Sequence, residues 1–74
     1  MKMSAIKVGV FYMTKAQDVV KVLRVGGTFP PSILAYSMTR GRHSLEARDF
    51  VRKLDDGEAP IHRDAINERL QEGT

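Results

Sequence analysis

Two guanidinium groups separated by a single glycine stand at Arg40-Gly41-Arg42, within the stretch SMTRGRHSLEARDF that spans residues 37–50. A turn at Gly41 lets the backbone come close to a partner. The paired forks suit phosphate oxygens or a narrow minor groove. The plain alternative is a polar turn facing water. Lys15, Lys21, Arg24 and Arg48 are the further cations expected to touch phosphates around that tip.

Catalytic chemistry finds less material. A nucleophilic mechanism needs an activated nucleophile, a base and an orienting group in one cleft. The chain has no cysteine and two histidines, His43 and His62. His62-Arg63-Asp64 spells the catalytic-loop triplet of protein kinases, but the other parts of that machinery do not accompany it. Gly26-Gly27 lacks the spacing and the lysine of a phosphate loop. Adjacent Asp55 and Asp56 fit a solvated stop at a helix end. No enzymatic activity, metal or other cofactor is expected.

The elements that hold the cations are read from periodicity. AIKVGVFYM, residues 5–13, is β-branched and aromatic and partly alternates. Ile6, Val8, Val10 and Tyr12 share one face of such a strand, and Lys7, Gly9, Phe11 and Met13 the other. Thr14-Lys15-Ala16-Gln17 has the form of a capping box. Behind it Ala16, Val19, Val20 and Leu23 follow a helical stripe that Gly26-Gly27 would end. Four valines among residues 19–25 weaken that helix and leave VVKVLRV open as a strand turning at the glycines.

Thr28-Phe29-Pro30-Pro31 must be extended or turned. SILAYSM, residues 32–38, fits a strand better than a short helix because the TRGR turn follows it. Ser44 reads as an N-cap, with Glu46 and Asp49 in the first turn. Ala47, Phe50, Val51 and Leu54 form the apolar stripe of a helix that Asp55-Asp56-Gly57 ends. Pro60 opens either a last helix carrying Ile61, Ala65, Ile66 and Leu70 or a frayed acidic tail. Phe11, Tyr12, Phe29, Tyr36 and Phe50 are expected in the core.

These elements predict an α+β fold in one small domain. An N-terminal strand in a short antiparallel sheet or hairpin packs against two helices. Residues 1–57 form the core, and residues 58–74 an acidic tail or short helix. A chain of 74 residues buries only about 60% of its unfolded surface. Without cysteine, no disulfide reinforces it. The hydrophobic share of 42% argues against wholesale disorder. No run approaches the roughly 18 apolar residues of a membrane span, and the residues 8–13 run is too short for a secretory signal. A cytoplasmic protein is expected.

Charge separates along the chain. Residues 1–43 hold seven Lys/Arg against Asp18 alone, a net of +6, and residues 44–74 hold five against eight acids, a net of −3. A basic half points to nucleic acid or an acidic protein surface, unless the fold lets the two halves neutralise each other.

GGTFPPSILAYSMTRGRHSLEARDFVRKL resembles the wing and following helix of excisionase-like winged phage regulators, with Gly27, Phe29 and Pro30 just before the wing. The resemblance implies DNA binding through a helix plus a wing. Those proteins carry two helices ahead of this point, where this chain has one candidate helix after a strand. Arg40-Gly41-Arg42 also resembles the centre of the AT-hook pattern, with Thr39 and His43 in place of the flanking prolines. The function expected is a small non-enzymatic transcription regulator that binds nucleic acid. The alternative is a phage-type adaptor or inhibitor that binds a host protein machine such as RNA polymerase.

Overall fold

The computed structural model describes residues 1–27 and 31–72, so the expectations for Thr28, Phe29 and Pro30 lie outside the described residues. Five strands follow in chain order: β1 (Phe11–Thr14), β2 (Val19–Gly26), β3 (Ser32–Ser37), β4 (Gly41–Leu45) and β5 (Phe50–Lys53). Single 3-10 turns occupy Met3–Ala5 and Ala47–Asp49, and the helix α1 (Pro60–Glu72) comes last. The strands form one antiparallel sheet in the order β4-β3-β2-β1-β5.

That order forces curvature. β4 and β5 are the two edges, and only residues 46–49 join them. In a flat sheet the edges would lie about 19 Å apart, four strand spacings of roughly 4.8 Å. Five extended Cα steps reach about 17–18 Å, and the intervening 3-10 turn shortens the reach further. The sheet therefore curls until its edges approach. Its concave face carries Tyr12, Val20, Val22, Ile33, Ala35 and Phe50, with Ile6 from the N-terminal segment. Leu45 of one edge and Phe50 of the other pack in this same cluster.

Two sequence expectations are corrected here. Residues 19–26 are a strand, and no helix starts at Ser44, which lies within β4. Each misread segment contains a β-bulge. In β2, Val22 pairs with Ala35 and Arg24 with Leu34, which leaves Leu23 as the extra residue. In β5, Phe50 pairs with Thr14 and Arg52 with Met13, which leaves Val51 extra. An extra residue shifts the phase of inward and outward side chains. Strict alternation after Val22 would have put Arg24 in the core; the bulge puts Val25 against it instead. The disrupted period-2 pattern happened to match helical spacing.

The cap signals are turns. Gln17 N–H donates to Thr14 O at 2.9 Å, and Asp18 N–H donates to the Thr14 hydroxyl at 3.3 Å. Glu46 N–H donates to the Asp49 carboxylate at 2.9 Å and closes one 3-10 turn, after which the chain extends. The strand reading of residues 5–13 holds for Phe11 to Met13, with Tyr12 inward and Phe11 outward. It fails at Gly9, whose φ of +83° bends the chain and leaves Val8 exposed.

The segment from Pro60 is the docked helix rather than a frayed tail. Ile66 is fully buried, and it joins Phe11, Val19 and Leu54 in a second cluster on the convex face, with Leu70 and Tyr36 against it. The connection into α1 is clamped. Arg52 donates from both terminal nitrogens to the Glu58 carboxylate at 2.8 and 2.6 Å, and Asp55 N–H donates to it at 2.8 Å. Those bonds, the guanidinium first and the Asp55 amide second, hold the Glu58 carboxyl down at about 2. No described helix is long and apolar enough to cross a membrane.

Candidate functional site

The convex face of β2, β3 and β4 is built from two cross-strand rows. Arg42 pairs with Tyr36, Tyr36 with Lys21, and Lys21 with Phe11, so these four side chains lie side by side on one face. Ser44, Leu34 and Arg24 form the next row. α1 covers the Phe11 end. Lys21 Nζ donates to Asn67 Oδ1 at 2.8 Å and lies 5.5 Å from the Phe11 ring centroid. Arg63 of α1 lies over the same ring at 5.3 Å and donates to Asp55 O at 2.6 Å. Toward β3 and β4, Arg24, Arg42 and Ser44 are exposed, and a depression of about 240 Å³ there is lined by Arg24, Gly26, Gly27, Ser32, Leu34 and Ser44.

Charge is sorted by element type. All nine acids lie in turns, in the Ala47–Asp49 turn and its flank, or from Asp55 onward, whereas the five strands carry Lys21, Arg24, Arg42, Arg52 and Lys53. A strand acid opposite a cation would interact directly across the ladder; here none does. Two ion pairs occur among the described residues, Arg52–Glu58 and Arg48–Glu46. Arg24 and Arg42 enter neither.

The seven cationic-site residues expected from sequence do not converge. Arg42, Arg24 and Lys21 share the convex face. Arg40 lines a separate depression of about 140 Å³ with Lys15, His43, Asp18 and Asp49. Arg48 pairs with Glu46 on the linking turn. Gly41, at φ +67°, makes the turn that divides the triplet between two sites. The tip is also tied down. Thr39 Oγ1 donates to Asp18 Oδ2 at 2.7 Å, and Arg40 N–H donates to the buried Ser37 hydroxyl at 3.1 Å. Asp18, the acid of the basic half, thus anchors the β3–β4 turn to the β1–β2 turn.

Tyr36, expected in the core, packs against the convex cluster but stays half-buried, between Arg42 and Lys21. A signal for it exists. A hairpin centred on Thr39 places residues equally distant from that centre opposite each other, which joins Tyr36 to Arg42. Asn67 had no such signal, because its contact with Lys21 spans 46 residues.

His43 and His62 lie on different elements, in β4 and α1. His43 Nδ1 is engaged with Gly41 O at 2.8 Å. Among the described residues no group of three or more His, Asp or Glu is gathered to hold a metal ion. After the β3–β4 hairpin the chain passes through the Ala47–Asp49 turn into β5, where the likeness to winged regulators implied a helix following the wing. No family model matches the sequence, and neither a curated protein nor a solved structure matches it.

Proposed function

We propose that this chain is a small non-enzymatic transcription regulator that binds nucleic acid through the convex face of β2, β3 and β4. One observation carries the reading: Lys21, Arg24 and Arg42 surround Tyr36 on strands that hold no carboxylate. Such a surface attracts a polyanion, and release of its counterions drives binding. Three phosphate contacts give a log–log salt slope of about −2 to −3. Arg24→Ala with Arg42→Ala should make that slope shallower by about 1.4 to 1.8 and weaken binding to a labelled oligonucleotide. Arg40→Ala with Lys15→Ala should change little, since both residues sit beside Asp18 and Asp49. The opposite ranking would move the contact surface to the turns.

A second reading, an adaptor that docks on a host protein machine such as RNA polymerase, draws on one feature. Ile61, 82% exposed, leads Asp64, Glu68 and Glu72 at helical spacing along the outward side of α1. That stripe suits a basic protein partner. Capture of the same partner from lysate before and after nuclease treatment, lost on Asp64→Lys with Glu68→Lys, supports it over nucleic-acid binding.

A further inference from the structure

We infer that the ligand of the convex face is single-stranded nucleic acid, one base of which stacks on Tyr36 while Arg24 and Arg42 hold the backbone on either side. The inference rests on the nucleic-acid reading above and narrows it. Reading a duplex by its major groove, about 12 Å wide, takes a helix or a two-stranded ribbon. The cations here are spread from β2 to β4, strand axes about 10 Å apart before side chains are added. α1 stands beside them against β2. A surface that broad rests on a duplex instead of entering it.

The β3–β4 hairpin does not project as an inserting ribbon, because Thr39 and Asp18 tie its tip to the β1–β2 turn. Strand geometry puts the Cα atoms of Arg24 and Arg42 roughly 12 Å apart, two strands over and two residues along. Tyr36 and Leu34 lie between them. An aromatic ring between cations is the pattern by which proteins take up unpaired bases, because every base has a face to stack and every nucleotide a phosphate. Lys21 stays available as well: its ammonium has three hydrogens, and Asn67 accepts one.

The test uses the whole chain with labelled oligodeoxythymidine and oligouridine of about 12 nucleotides, within the site size usual for single-strand-binding domains. A duplex of the same length is the third probe. Both single strands should bind at least roughly ten-fold more tightly than the duplex. Tyr36→Leu keeps apolar bulk against the convex cluster and removes the ring. It should weaken single-strand binding by about 5- to 150-fold, and Tyr36→Phe should restore it. Circular dichroism of both variants separates loss of stacking from loss of fold. Tighter binding of the ribose strand would assign the ligand to RNA, and equal binding to either source; both outcomes support a stacked single strand. Wild-type affinity in a folded Tyr36→Leu protein would overturn the stack. A duplex bound as well as the strands, and still sensitive to Arg24 and Arg42, would overturn the inference and leave the nucleic-acid reading standing. No binding of any probe would remove both.

Discussion

Phe11 and Tyr12 are neighbours on β1, yet their rings live in different chemistry. Tyr12 faces the concave cluster and meets Phe50 edge-on, with ring centroids 5.4 Å apart and planes at 87°. Its hydroxyl accepts from Lys7 N–H at 2.8 Å and donates to Ala5 O at 3.1 Å, so no polar atom of the ring is left wanting. Phe11 faces the convex side and lies under Lys21 and Arg63. The concave face is apolar, closed and satisfied; the convex face mixes aromatic rings with cations and is half covered. A small sheet that must bury apolar area on one side has the other side free for recognition. α1 seals as much of that second side as Val19, Phe11 and Leu54 require.

The comparison breaks most readily at Phe50. Phe50→Ala should cost about 3–5 kcal/mol. A chain of this length has roughly 4–11 kcal/mol in total, so urea denaturation should show that a large part of the stability is lost. A loss below about 1 kcal/mol would mean that the concave cluster does not dominate stability. Ile66→Ala strikes the convex cluster and should cost about 2–4 kcal/mol. Hydrogen exchange sharpens the contrast: α1 amides should lose protection first, while β2 and β3 amides keep theirs. Simultaneous loss in both would make the two clusters a single cooperative unit.

The smallest effect is expected at the clamp between β5 and α1. Glu58 has its carboxyl held at about 2 against an ordinary 4.5. A carboxylate with a lowered folded-state pKa contributes stability in full above its unfolded value and loses it as pH falls through the folded one. The contribution of Arg52–Glu58 is therefore present above pH of about 4.5 and disappears toward about 2. Glu58→Gln should lower the thermal midpoint slightly at neutral pH, and the difference from wild type should vanish near pH 2. The pair is solvent-accessible, which keeps the effect small. A difference that persists at pH 2 would assign the clamp to shape instead of charge.

Local pattern carried part of this architecture. The opposite orientations of Tyr12 and Phe11, the strand at Ile33 to Tyr36, the turn at Gly41 and the start of α1 at Pro60 all follow from near neighbours. The helices read at Val19–Val20 and after Ser44 failed because bulges at Leu23 and Val51 break alternation. A bulge is specified by the partner strand as much as by its own residues. Phe50 and Leu54, four apart, looked like one helical face. They lie in clusters on opposite sides of the sheet. Among the cations, the basic character of the front half was legible, but the membership of the site was not. Arg40 and Arg42 are two residues apart, yet Arg40 lines the depression beside Asp18 while Arg42 stands opposite Tyr36 on the convex face, because Gly41 turns between them.

From sequence alone came the segregation of charge, with the front half basic and the acids after Leu45 and at Asp18, together with a core of β-branched and aromatic residues too small to spare any. Those are properties of composition and order, and no fold can alter them. Which cations share a face was decided by the sheet. Lys21, Arg24 and Arg42 meet around Tyr36 only because β2, β3 and β4 pair in one register, with a bulge that turns Arg24 outward. Pairing joins residues far apart in the chain, and a one-residue change of phase sends a side chain to the other surface.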